Sequence, residues 1–464
     1  MQIRRTDTLM PAATLLLFCL VLVILPGCAS YVSHSVRIKS DLAEGRFEEA
    51  LEEVDKAGKG ASRLLGLYES GLIFHYARDY EQSNQYLHEA ELLYDDLYTK
   101  SISREVGSLV ASDVVLAYRG EPFESAFIHY YKILNFLHLG DGQGALVECR
   151  KLNHKLKVFR DAGDTFYTND PFLQYLTGLV YESEGDLQNA WVSYRVALEA
   201  YEKMEDTFQT PPPPSLRCEF QRVGSRLGYA DEFPQPADSM QCSDDPTVEG
   251  RGEIVLLVED SFVANKVPVE FVAPILKGDI DDNLDEDDFA FTLADRVQRN
   301  RVYPRKVDHW LKIAFPEMVS EPPIVSWVEV VAVEVPASAI RAVPAADLGA
   351  VALKRFKERR VAMLAKTFAR ALAKYLAKQK VEQEKGKLAG LAVNIFNIAT
   401  ETADTRSWST LPGRIHLARL PLPEGRYTIQ VVLRDQHGER LDTIAIPDVE
   451  VLSGRTTFLN HRVF

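Results

Sequence analysis

Four consecutive prolines, Pro211–Pro214, are the feature that most restricts this chain. A proline run offers no backbone N–H and holds φ fixed, so neither a helix interior nor a central strand passes through it. The sequence reads differently on its two sides. Upstream, apolar residues recur at helical spacing; downstream, short Val, Ile, Thr and Tyr runs lie between Gly and Pro clusters, as in strands. The expected class is therefore α + β, with helices first and strands second. The 464 residues are 46% hydrophobic and 26% charged, which is a globular composition, and the length suggests two to three domains.

The helical half has an internal repeat. From Pro171 to Met204, Gly178, Tyr181, Gly185-Asp186-Leu187, Ala190, Tyr194 and Ala197-Leu198 fall in the order of a tetratricopeptide unit. Small residues sit where two helices cross, aromatic residues fill the space beside them, and Gly185-Asp186 breaks the chain between. Weaker copies surround Gly45-Arg46-Phe47, then Gly71 with Asp79-Tyr80, then Gly140-Asp141 with Ala145 and Cys149. The turn positions 45, 78, 140 and 185 are unevenly spaced around a period of about 34, and the widest gap leaves room for an extra segment near 101–118. The expectation is an N-terminal α-solenoid of degenerate tetratricopeptide repeats over residues 28–208, with a concave face for a protein partner. Tyr31 to Phe208 holds 18 Lys and Arg against 30 Asp and Glu, a solvated acidic surface or one that steers a basic partner segment.

Residues 209–250 read as a Pro-rich irregular linker. Cys218 and Cys242 lie in it, and a disulfide between them would close a loop of about 25 residues, worth roughly 3 kcal/mol. Cys149 reads as a buried thiol.

Residues 251–464 read as a β-rich domain. Glu253–Glu259 is a short buried-strand run, and further strands are expected at Val307–Phe315, Ile324–Val335, Arg414–Leu420, Tyr427–Arg434, Thr443–Val451 and Thr456–Val463. The last four suggest a meander in a β-sandwich-like domain. A long helical insert is expected at about 346–403, with Leu353, Phe356, Leu364, Phe368, Leu372 and Tyr375 on one stripe. Residues 351–387 hold 12 Lys and Arg against three Glu. That basic face, including Lys366, Lys374 and Lys378, is expected to point outward.

The N-terminus suggests an address. Arg4 and Arg5 precede an apolar run from Leu15 to Leu25, too short for a comfortable span and suited to a secretory signal over residues 1–27. Leu25-Pro26-Gly27-Cys28-Ala29-Ser30 resembles the bacterial lipobox, which makes Cys28 the acylated residue. Ala29, rather than an Asp, points to the outer membrane with the body facing the periplasm.

Motifs that carry chemistry are few. Asp279, Asp281 and Asn283 begin like a calcium loop, but Leu284 and Ala290 stand where that loop needs Gly and Glu. No HExxH, P-loop, GxSxG or GxGxxG occurs. No catalytic residue, metal site or cofactor is expected, and a formal charge of −14 argues against nucleic acid. Asp404, Arg406 and Trp408 form the one dense polar and aromatic cluster. It reads either as a clamp for a ligand or partner, or as a lock at a helix-to-strand junction.

The order of lipobox, degenerate repeats, Gly252-Glu253-Ile254-Val255, Ala403-Asp404-Thr405-Arg406-Ser407-Trp408 with Leu411-Pro412, then Gly425-Arg426-Tyr427, resembles a family of proteobacterial tetratricopeptide-containing outer-membrane lipoproteins. That family has no assigned catalytic residues. The resemblance implies a non-enzymatic, lipid-anchored periplasmic scaffold or adaptor. Its partners would be other envelope lipoproteins or peptidoglycan-synthesis proteins, such as the synthases that lipoprotein activators serve. The alternatives are a cell-wall or polysaccharide hydrolase and a component of a secretion or appendage machine.

Overall fold

A computed structural model of the chain describes residues 31–103, 116–162, 169–208, 210–229, 250–276, 307–320, 322–323, 325–385 and 402–464. Four helical hairpins come first: α1 (Tyr31–Ala43) with α2 (Phe47–Ala57), α3 (Arg63–Tyr76) with α4 (Tyr80–Ser103), α5 (Pro122–His138) with α6 (Gly142–Asp161), and α7 (Pro171–Ser183) with α8 (Leu187–Phe208). Gly45, Arg78, Gly140 and Gly185 sit at the four turns, all with φ between 64° and 80°. That left-handed region suits glycine, and Arg78 occupies it against its preference.

The first helices of the last three hairpins are buried all round. Every residue is buried from Leu64 to Ile73 in α3, from Pro122 to Asn135 in α5 and from Phe172 to Tyr181 in α7. A helix with no solvent face must be covered on two sides. Its hairpin partner covers one side, and a β-sheet covers the other.

That sheet contains β1 (Arg251–Phe262), β4 (Trp327–Ala332), β5 (Val335–Asp347), β6 (Pro412–Pro423), β7 (Gly425–Arg434), β8 (Arg440–Val451) and β9 (Thr456–Val463), in the order β8-β7-β4-β5-β6-β1-β9. All neighbours are antiparallel except β1 and β9. The sheet curls until its two ends meet, where the Thr457 hydroxyl donates to the Glu450 carbonyl at 2.8 Å. Its inner face is a core of its own, built on Ile254, Leu256, Val258, Val330, Leu420 and Val431. The alternate residues Val255 and Leu257, with Ile415, Leu417 and Phe458, join the core of the helices. The continuous apolar run at Glu253–Glu259 has this cause: β1 is buried on both faces.

This arrangement corrects the expected fold class. No open tetratricopeptide solenoid forms, because the inner faces of the hairpins are filled by the chain's own sheet. Among the described residues no β-sandwich forms either. A single mixed, nearly closed, barrel-like sheet replaces it, and β6 and β7, consecutive in sequence, are separated by β4 and β5.

Two further differences involve proline. Pro214 begins α9 (Pro214–Arg226) inside the stretch expected to be irregular, taking a first-turn position where a missing N–H costs nothing. α9 packs on α8 and buries Leu216, Phe220 and Val223. Outside the main sheet, β2 (Asn265–Leu276) and β3 (Val307–Val319) form a two-stranded ribbon. On it lies α10 (Leu348–Lys385), whose Phe356, Leu364, Phe368 and Leu372 pack against Ile313 and Phe315.

Candidate functional site

The Asp404–Thr410 segment runs between the helices and the sheet and organises the junction. Arg406 grips Asp404 through two N–H donors at 2.8 Å each, and its third arm donates to the Ala61 carbonyl at 3.0 Å. Trp408 is wholly buried, with its indole stacked on Tyr68 at 4.4 Å. The Trp408 backbone N–H donates to Glu124 at 2.8 Å, and the Thr410 hydroxyl donates to Glu69. All three residues singled out from sequence thus lie on one segment, within the packing between the two halves.

Three carboxylates that the sequence reading passed over complete this layer. Glu69 accepts from Thr410 and from the Tyr31 hydroxyl at 2.9 Å. Burial pushes its pKa up to about 7 despite those donors. Glu124 accepts the Tyr118 hydroxyl on both oxygens, at 2.8 and 2.6 Å, and burial raises its pKa too. Glu259, on β1, accepts from Tyr76 at 2.6 Å and Tyr130 at 2.7 Å; burial raises it, and Arg462 draws it part of the way back. A signal for Glu69 was present: it is the lone acid in the apolar stretch Leu64–Ile73, and such an acid is either buried or misplaced.

The junction carries other cross-links. Arg419 on β6 pairs with Glu253 on β1 and with Glu219 on α9. Asn460 on β9 lies 2.7 Å from His138 and 2.8 Å from His75. Tyr201 donates to the Ala345 carbonyl at 2.7 Å.

A second buried cluster lies between α4, α5 and α6. Glu91, His129 and Glu148 come close enough to resemble metal ligands. The cation there is already supplied, because Lys132 Nζ sits 2.8 Å from Glu91 and 2.9 Å from Glu148. Burial keeps His129 below its ordinary pKa, and its Nδ1 lies 2.8 Å from Glu148. Burial alone would raise Glu148; the His129 hydrogen bond and the Lys132 charge bring it down to about 2. The donor set fits an internal ammonium. Three separate helices contribute it, so no linear spacing announced it.

The basic helix α10 is partly turned inward. Arg359 reaches Glu121, the residue before α5, at 2.8 Å, and Arg355 lies 3.6 Å from the same carboxylate. Lys366 and Lys374 are half-buried and engaged, which differs from the outward face expected for them. Between α5, α10, the ribbon and Ser407-Trp408 lies a small hollow with Lys266, Arg355 and Arg359 on its walls.

Cys149 is buried and free, and burial pushes its thiol well up. Cys218 on α9 is disulfide-bonded; Cys242, its expected partner, lies outside the described residues, as does Cys28. No helix among the described residues is long and apolar enough to cross a membrane. No protein-family model matches the chain, and no curated protein is similar to it.

Proposed function

We propose that this chain is a lipid-anchored scaffold at the periplasmic face of the outer membrane, binding protein partners of envelope or cell-wall assembly on its outer surfaces. What supports the reading is the short stretch of sequence between Cys28, the proposed anchor residue, and the first described helix. Cys28 precedes Tyr31, the first residue of α1, by three residues, a reach of about 10 Å at most. The Tyr31 hydroxyl is bonded to Glu69 in the junction. Acylation at Cys28 would hold the whole body against the bilayer rather than on a long tether, which suits membrane-proximal partners such as other envelope lipoproteins. A hydrolase reaching for the wall gains nothing from so short a leash. Several acyl chains, each stabilising membrane attachment by about 0.8 kcal/mol per buried methylene, make such an anchor durable.

The test is purification of the tagged chain from envelopes, with identification of what comes with it. Wild type is expected as a processed, outer-membrane form that recovers a constant set of partners. Cys28→Ala should accumulate as precursor and lose them. Inserting about 20 Gly and Ser residues after Ser30 should keep processing while reducing partner recovery, since such a linker adds reach and freedom. Normal cutting and sorting of Cys28→Ala would overturn the anchor, and unchanged recovery with the insertion would overturn the need for proximity.

A further inference from the structure

We infer that the groove over α3, between α2 and α4, binds a short extended segment of a partner protein, one that carries an acidic side chain and an apolar one at opposite ends. The inference deepens the scaffold reading above and rests on it only in taking the ligand to be a protein. The groove holds about 410 Å³ of open space, within the range of ligand sites. Its hollowness has a local cause. Gly58 and Gly66 press together where α2 meets α3, so closely that a Cβ on either would collide with the backbone of the other. Neither contributes a side chain to fill the space beside them.

The groove is charged at one end and apolar at the other. Arg63, Gly66, Leu67, Ser70 and Phe74 lie along one face of α3 and form its floor. Leu51 and Val54 of α2 flank it, and Tyr86 of α4 stacks on Phe74 at 5.3 Å at the apolar end. At the charged end, Asp55 and Lys59 neutralise each other at 2.8 Å. The exposed Arg63 guanidinium has no partner among the described residues, so it is the uncompensated charge of the groove. That end is also the N-terminus of α3, where Ser62 supplies no side-chain cap, and the helix dipole favours an anion there. A second observation lies midway. Ser70 is one turn from both Gly66 and Phe74, in the row of α3 that lines the groove. It is only 8% exposed, yet its hydroxyl bonds to no described residue and stays open to the groove. The backbone of a bound segment would give that hydroxyl a partner, whereas a lipid chain would leave it without one. From Arg63 to Phe74 the helix rises about 16 Å, which an extended chain crosses in about five residues.

The experiment selects phage-displayed random decapeptides on the full-length chain. Enriched sequences should set an Asp or Glu about five residues from a Leu, Ile or Phe. A synthetic copy of the leading sequence should lose about tenfold in affinity for the Arg63→Gln chain, the worth of one charge-assisted contact, and more for Arg63→Glu. Arg63 is exposed, so neither change should unfold the chain. Ser70→Tyr should block binding by filling the middle of the groove, with circular dichroism to show that the variant is folded. No enrichment, enrichment without this pattern, equal affinity for wild type and Arg63→Glu, or undiminished binding by folded Ser70→Tyr would each overturn the proposal. A benzophenone side chain placed at Leu51 separates the other occupants and should crosslink to the added peptide. Crosslinks to another segment of the same chain instead, or displacement of the peptide by palmitate, would give the groove a different occupant and overturn the proposal. Processing at Cys28 is not read in these experiments, so the anchor and the groove can each fail alone.

Discussion

Two buried groups of carboxylates, one at the junction and one among the outer helices, solve the same problem in opposite ways. At the junction, Glu69, Glu124 and Glu259 receive hydrogen bonds from hydroxyls and backbone N–H groups, and burial still raises their pKa values. Between α4, α5 and α6, Glu91 and Glu148 lie beside His129 and the full positive charge of Lys132, and together these hold their pKa values below the ordinary range despite burial. Hydroxyl and N–H donors, even with Arg462 acting on Glu259, do not offset the cost of stripping water from these carboxylates; a directly ion-paired cation does. The outer cluster is thus a fixed, ionised element. The junction is held by groups whose charge depends on pH.

Breaking the ion cluster should have the largest effect. Lys132→Met leaves Glu91 and Glu148 buried without their cation and is expected to cost about 3–5 kcal/mol in urea unfolding at pH 7. A loss below about 1 kcal/mol would mean that Lys151, 3.4 Å from Glu91 and 3.1 Å from Glu148, takes over.

The next effect has the opposite sign. Between about pH 4.5 and 7 the folded chain keeps a proton on Glu69 that the unfolded chain has released. The folded state binds more protons there, so this residue's contribution to stability falls as pH rises across that window, by an amount on the order of 3 kcal/mol. Glu148 behaves in reverse: its contribution is complete above about pH 4.5 and is lost as pH drops through about 2. Glu69→Gln keeps an acceptor for Tyr31 and Thr410 and removes the charge. It should raise stability at pH 8 by about 1–3 kcal/mol and leave stability at pH 4 nearly unchanged. Equal shifts at both pH values would show that Glu69 acts by shape alone.

A third pair sets the scale. Lys59 and Asp55 lie 2.8 Å apart on an exposed turn of α2 and its C-terminal flank. Lys59→Ala should change stability by no more than about 0.5 kcal/mol, and less still in high salt.

Parts of this architecture were legible in the sequence. Gly45, Gly140 and Gly185 marked their helix turns because Gly punctuates helices strongly, and Asp79 marked the turn at Arg78. The run at Glu253–Glu259 announced a doubly buried strand. β2 and β5 were missed. β2 alternates Val267, Val269 and Phe271 but carries Pro268 and Pro274, which argue against a strand, and β5 carries Pro336 and Pro344 among several alanines and lacks β-branched alternation. β5 tolerates Pro344 at a register shift against β6. The expected solenoid failed for a reason also present in the sequence. Leu64–Ile73, Pro122–Asn135 and Phe172–Tyr181 have too few polar positions for helices with an open concave face. At the candidate site, Asp404, Arg406 and Trp408 stood out as a dense cluster. Their distant partners Ala61, Tyr68 and Glu124 are some 280 to 345 residues away, and no local pattern connects such distant residues.

The central claim is that helices and sheet are one cooperative body, joined through Glu69, Glu124, Glu259 and Trp408. Native-state hydrogen exchange at pH 7, with the disulfide intact, tests it by comparing amides of α3 and α5 with those of β1 and β6. Both sets are expected to open only in one global event, with the same free energy and the same dependence on urea. Sheet amides that exchange freely while α3 and α5 stay protected, or the reverse, would show two independent domains and contradict it.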